Sequence, residues 1–364
     1  MAIYVHVPFC RTKCYYCDFY SLPRTQLADR YVEAAGREWR LRRDENGADA
    51  DTIYIGGGTP SQLTAAQFGR LMSFLPAPLP GAEVTVEANP EDVTPELVAA
   101  WRRWGVNRVS MGVQSMVDSE LAAVGRRHSA AGAVRACDIL RKGGIGNISL
   151  DLIYGLPGQT SGSWQRSLDA VTALRPEHIS AYMLSYEPGT RLYAMRSVGK
   201  VRETDEDTLL DMYARLCRTL ADNGYGHYEI SNFALPGRHA VHNSSYWQNK
   251  PYIGLGPGAH SWDGRVRRAN PHSLTGYLDS LAQGKVFYET EEETETDRLN
   301  DMIMVSLRTS RGLDLSKIPA RHRAAFNAGL SRIPIGDIIL DNARLYIPED
   351  RWLVSDATIR DLLL

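Results

Sequence analysis

At 364 residues the chain exceeds one average domain, and a large α/β unit with a smaller companion is the natural expectation. Its 43% hydrophobic content suffices for a substantial core, while a formal net charge of -2 excludes general affinity for nucleic acid, which needs a strongly basic surface. No uninterrupted apolar run reaches membrane-spanning length.

The start, Met1-Ala-Ile-Tyr-Val, has no basic segment, long apolar core or small-residue cleavage site, so no secretory leader is expected. With five cysteines in the whole chain, it reads as cytoplasmic and reducing. The first half alternates β-rich runs with helical stretches. Strands are expected at Ile3–Val7, Thr52–Ile55, Glu83–Glu87, Arg108–Met111, Ile148–Ile153 and Ile179–Leu184. Thr64 and Gln67 form a capping box between them, and Thr94-Pro95 is an N-cap with proline in the first turn. This alternation predicts parallel right-handed βαβ units. Six of them make a partial (βα)6 TIM-like barrel, with chemistry at the strand C-terminal ends. After a long helix at about Asp205–Asn223, His239–Arg268 turns rich in His, Gly, Arg and aromatics without clean periodicity. The acidic run Glu289–Asp297 suits the first turn of a following helix. The expected division is 1–234 for the barrel and 235–364 for a smaller α/β domain with a winged-helix-like tail.

The distinctive residues fall at the expected strand ends. After the first strand comes Cys10-Arg-Thr-Lys-Cys14-Tyr-Tyr-Cys17, a Cx3Cx2C loop. Three thiolates there suit three irons of a [4Fe-4S] cube, and the absence of a fourth cysteine from the loop leaves one iron open for a small molecule. Zinc would want four ligands, with His6 the nearby candidate. Gly56-Gly-Gly-Thr-Pro60 follows the second strand and allows close backbone approach to a ligand. Glu87-Ala-Asn-Pro90, Gly112-Val-Gln114 and Asp151 mark the next three strand ends. Cys137 and Cys217 lie on apolar helical faces and read as core.

Cx3Cx2C after one strand and GGGTP after the next resemble the radical S-adenosylmethionine (SAM) superfamily. Tyr4-Val-His-Val-Pro-Phe-Cys10, Val86-Glu-Ala-Asn-Pro90, Arg108-Val-Ser-Met-Gly-Val-Gln114 and Asp151-Leu-Ile-Tyr-Gly-Leu-Pro157 are similar to the oxygen-independent coproporphyrinogen III oxidase-like family. Cys17-Asp-Phe19 and His242-Asn-Ser-Ser-Tyr-Trp247 resemble its HemW branch of heme chaperones. The dehydrogenases of the family carry a further cysteine where this chain has Phe19, and a longer N-terminal segment. Oxidative decarboxylation of coproporphyrinogen III is therefore the alternative function, and no residue is assigned a catalytic role.

The resemblance implies a [4Fe-4S] cluster on Cys10, Cys14 and Cys17, with SAM in the barrel. It assigns SAM contacts to Tyr4, Tyr16, Gly57, Gly58, Thr59, Glu87, Gln114, Arg126, Asp151 and Ser185. It also implies heme as cargo, an acceptor protein that is membrane-associated or not, and an electron donor for the cluster. For heme, an imidazole can ligate iron and aromatic faces can stack on a porphyrin, which singles out His242, Tyr246 and Trp247. His260 is a rival ligand, Tyr252 a further stacking face, and Arg265, Arg267 and Arg268 are partners for propionates.

Overall fold

Alternate residues in the middle of the first six strands are apolar and pack against helices, which is what binds this sheet into a core. The computed structural model describes residues 1–45 and 49–364. Strands β1 (Ala2–Val7), β2 (Ala50–Gly57), β3 (Pro78–Ala88), β4 (Arg108–Gln114), β5 (Ile148–Tyr154) and β6 (His178–Met183) pair in parallel, each with the next. Ile3, Val5, Ile53, Ile55, Val84, Val86, Val109, Met111, Leu150 and Leu152 point to the helices and are fully buried. The alternate positions are polar and meet on the other face: Tyr4 Oη lies 3.1 Å from His6 Nδ1, and Ser110 Oγ donates to Asp151 at 3.1 Å. One period-two pattern thus builds a core outside and a polar surface inside.

Several helices start where short polar side chains satisfy their first amides. Thr64 and Gln67 bond reciprocally, Thr94 caps the helix opened by Pro95, and Asp205 caps Glu206–Asp222. The partial (βα)6 unit is present, as part of an open sheet and not a closed barrel.

That sheet continues through short strands. These are β7 (Gly226–Glu229), β8 (Asn232–Ala234), β9 (Tyr252–Leu255), β10 (His260–Trp262), β11 (Val266–Ala269) and β12 (Glu289–Glu292). The order is β12-β11-β10-β9-β1-β2-β3-β4-β5-β6-β8-β7, with β9 parallel to β1. Residue 234, where the sequence suggests a division, ends β8 within this sheet. A second core, including Leu299, Ile303, Phe326, Leu345 and Trp352, gathers the helices Glu295–Ser306, Arg323–Leu330 and Ser355–Leu362. With it goes a three-stranded sheet of β13 (Leu313–Asp314), β14 (Ile339–Asp341) and β15 (Arg344–Tyr346), in the order β13-β15-β14.

The acidic run departs from expectation. Glu289–Glu292 is an edge strand antiparallel to β11, and the helix begins only at Glu295 behind the Thr294 cap. The reason is charge pairing. Arg265, just before β11, bonds Glu292 on the strand and Arg267 bonds Glu293 just past it, so these two carboxylates are held by arginines at β11 rather than by the helix dipole. Among the described residues, no helix is long and apolar enough to cross a membrane.

Candidate functional site

The loop after β1 is pinned by backbone bonds before any side chain contributes. Cys10 N donates to Leu22 O at 3.2 Å, Tyr15 N to Val124 O at 3.0 Å, and Leu192 N to Tyr15 O at 2.7 Å. This hangs Cys10, Cys14 and Cys17 over a cavity of about 460 Å³ at the C-terminal ends of the parallel strands. Cys10 Sγ lies 2.9 Å from Thr59 Oγ1, and Arg126 Nη1 donates to Cys14 Sγ at 3.5 Å. Among the described residues, the trio of ligand atoms that closes to within 4.8 Å, as a single ion requires, is Cys217, His227 and Glu349. The loop thiols are spread wider, as suits a cluster whose irons each take one thiolate.

Nine of the ten residues expected to contact SAM line this cavity: Tyr16, Gly57, Gly58, Thr59, Glu87, Gln114, Arg126, Asp151 and Ser185. Tyr4 is not among the lining residues; it stands behind, bonded to His6. Gly57 has φ +109°, and a Cβ there would lie 2.7 Å from His6 Nδ1, so the position demands glycine. Gln114 adopts φ 66°, an uncommon conformation for a side-chain-bearing residue, where β4 bulges against β5.

Glu87 and Asp151 set the electrostatics. Glu87 Oε1 accepts from Tyr54 Oη at 2.7 Å and Oε2 from Gly57 N at 3.0 Å. Burial pushes Glu87 up to about 7, with the Asp151 charge adding to it and these two bonds opposing. Burial raises Asp151 to about 6 against the bonds from Ser180 and Ser110. Both carboxyls therefore gain from a cationic neighbour. Arg126 Nη2 donates to Asn89 Oδ1 at 2.8 Å and also to Gly112 O, while its buried Nε has no partner. The donor set, the glycine cradle and this unsatisfied Nε fit a [4Fe-4S] cluster with an amino-acid-bearing ligand beside it. Sequence reasoning missed Tyr54 as a site residue, and it gave no role to Asn89 although that residue stands within the Glu87–Pro90 strand end. Tyr54 was findable as the inward position two before Gly56.

The three residues expected at heme separate in the structure. His242 is 1% exposed; its Nδ1 lies 2.8 Å from Thr52 Oγ1 and its Nε2 2.8 Å from Tyr246 Oη. Burial lowers its pKa to about 3, so the ring is neutral with both nitrogens engaged internally. Tyr246 packs edge-on against Tyr252 at 4.7 Å. Trp247, at the end of the helix Val241–Trp247, lines a different cavity of about 710 Å³. His260 is exposed on β10, and Arg265, Arg267 and Arg268 are paired with carboxylates, the last with Asp263 at 2.8 Å.

Residues 4–171 match the family model of the radical SAM superfamily. The chain is 34% identical over 326 residues to the heme chaperone HemW of Bacillus subtilis, spanning 88% of this chain and 86% of that one. It is 35% identical over 372 residues to the heme chaperone HemW of Mycobacterium tuberculosis, spanning 99% and 94% respectively. Among solved structures, coproporphyrinogen III oxidase (HemN) from Escherichia coli superposes with a TM-score of 0.85 at 24% identity, covering 100% of this chain and 89% of that one. That likeness concerns the fold.

Proposed function

The chain belongs to the HemW family of radical SAM proteins, and from this premise we propose that it binds heme and passes it to an acceptor protein. The observation that carries the reading is similarity along nearly the full length to proteins named heme chaperones. Cys10, Cys14 and Cys17 would hold the [4Fe-4S] cluster, leaving one iron to SAM. When bound, the pair supplies one-electron reductive cleavage at the sulfonium.

The chain's own residues orient that ligand. Gly57 and Gly58 let the backbone approach, and Thr59, Tyr16, Gln114 and Ser185 furnish the remaining walls. Arg126, already aimed past Cys14 with a free Nε, pairs with a carboxylate. Glu87 and Asp151 accept from ribose hydroxyls or sit beside the cationic centre, which draws both into their ionised form. Tyr4 holds His6 beneath Gly57 and so positions the cradle. Phe19, standing where the dehydrogenases carry a further cysteine, is 63% exposed and lines the same cavity, which favours the chaperone over the decarboxylase.

The test is anaerobic reconstitution of the cluster, followed by hemin in one arm and coproporphyrinogen III with SAM and reductant in the other. A Soret band saturating near one heme per chain, with heme passing to an apo-acceptor, is the expected result. Release of CO2 from coproporphyrinogen III would replace this reading with the dehydrogenase.

A further inference from the structure

The larger cavity, of about 710 Å³, lies away from the cysteines. Tyr228 in its wall bonds His178, the first residue of β6, at 2.7 Å, whereas Tyr182 to Ser185 at the other end of β6 line the cysteine cavity. The two cavities therefore lie toward opposite ends of β6. In barrels of this kind the N-terminal end ordinarily serves stability, so a large cavity lined by polar and charged side chains there calls for an occupant.

We propose that this cavity is the seat of heme and that His239 is the protein ligand to its iron. The inference rests on the heme-chaperone reading above and adds to it the place and the ligand. Space is the first argument. The cysteine cavity, about 460 Å³, is already claimed by a cluster and SAM, so a macrocycle needs room elsewhere. At about 710 Å³ the second cavity falls in the range of roughly 300–1,000 Å³ that takes ligands of such size.

The ligand is the second argument. His239 is exposed to the cavity, and among the described residues its ring nitrogens have no hydrogen-bond partner within 3.5 Å. Its ring stacks on Tyr228 at 4.1 Å and 10°, and Tyr228 is itself held by His178 and by Ala240 N at 3.2 Å, so the imidazole plane is fixed. His242, three residues on, has both nitrogens committed to Thr52 and Tyr246.

Charge is the third. Four cationic side chains line the cavity, Lys250, Arg311, Lys317 and Arg344, against two carboxyls, Glu229 and Asp314. Four minus two leaves a surplus of two positive charges, which matches a porphyrin carrying two propionates. Burial pushes Glu229 up to about 7, so its repulsion of a propionate is only partial at neutral pH. Trp247 supplies an aromatic wall for the macrocycle.

The experiment titrates cluster-reconstituted full-length protein with hemin, read by difference absorption and by quenching of tryptophan fluorescence. Wild type should give a histidine-ligated Soret spectrum. His239→Ala should shift the Soret maximum, and free imidazole should restore it, which a merely structural residue would not allow. Lys250→Glu with Arg311→Glu should weaken binding about tenfold or more while leaving the spectrum of saturated protein unchanged. Because His239 is exposed, its replacement leaves the fold intact, and circular dichroism checks this. Wild-type affinity and spectrum in both variants, or loss of the histidine-ligated spectrum only in a folded His242→Ala, would overturn the assignment. Failure of wild type to bind hemin at all would instead overturn the chaperone reading.

Discussion

Tyr54 stacks on His242, ring centroids 5.0 Å apart and planes 28° apart, while its hydroxyl donates to Glu87 at 2.7 Å. One side chain thus touches both the SAM-side carboxyl and the helix whose last residue walls the second cavity. Tyr54→Phe keeps the stack and removes only the hydrogen bond. Glu87 loses a partner that favours its charged form, and its pKa should rise above about 7. A lost bond to a charged group is worth about 1.5–3 kcal/mol, so SAM should bind roughly tenfold more weakly or worse at neutral pH. Calorimetric titration of SAM checks this, and unchanged affinity would remove Glu87 from the SAM contacts.

The cysteines give the plainest expectation. Cys10→Ala, Cys14→Ala or Cys17→Ala should each abolish most of the sulfur-to-iron charge-transfer absorption of the reconstituted protein. Cys137→Ala should retain it, because Cys137 is a buried core residue of the helix Ala130–Lys142. A full-strength spectrum in Cys14→Ala would defeat the cluster assignment.

Gly57 tests the cradle. With φ +109° and a Cβ that would meet His6 Nδ1 at 2.7 Å, Gly57→Ala should destabilise the fold by about 1–3 kcal/mol. It should also weaken the SAM-induced change in the reduced cluster's EPR signal. Gly158, also at positive φ but with nothing within 4 Å of an added Cβ, is the control for strain alone: Gly158→Ala should leave the EPR response intact.

Acidity offers a fourth check. In the chain without SAM or cluster, Glu87 titrates at about 7, against 4.5 unperturbed, and Asp151 at about 6, against 3.8. Between those values the folded state binds protons that the unfolded state has released. Unfolding free energy therefore falls as pH rises through this window, by up to about 3 kcal/mol for Glu87. Urea denaturation across the window should show the decline, and Glu87→Gln should flatten it. SAM affinity should move the opposite way, rising with pH as the carboxyls ionise. A pH-independent stability in wild type would show that these carboxyls are better solvated than their surroundings imply.

The half of the fold that carries the cysteine site was legible because β1 to β6 are long enough to display alternation, and because the residues with chemistry stand at their C-terminal ends. Strands β7 to β12 are three or four residues long, too short for a period to register amid the glycines and aromatics around them. The acidic run misled for another reason: its partner arginines lie more than twenty residues earlier, and local dipole reasoning cannot see them. The same limit governs His242. Its motif advertises an imidazole among aromatics, but Thr52, the residue that occupies Nδ1, is 190 positions away. His239, outside the motif, is legible only as the start of the His-rich segment, since exposure to a cavity is a tertiary property.

A twelve-stranded open sheet has two rims, and each is guarded differently. Every residue of β12 is exposed, and three of its four are glutamates, so a second molecule offering the same rim would bring carboxylates against carboxylates. At the far rim, Ser310 N donates to Tyr228 O and Ile230 N to Arg308 O, each at 3.0 Å, so the segment before β13 already occupies the ladder positions an intruding strand would take. The architecture that leaves the barrel unclosed therefore leaves neither edge of its sheet as a bare, uncharged template for another strand.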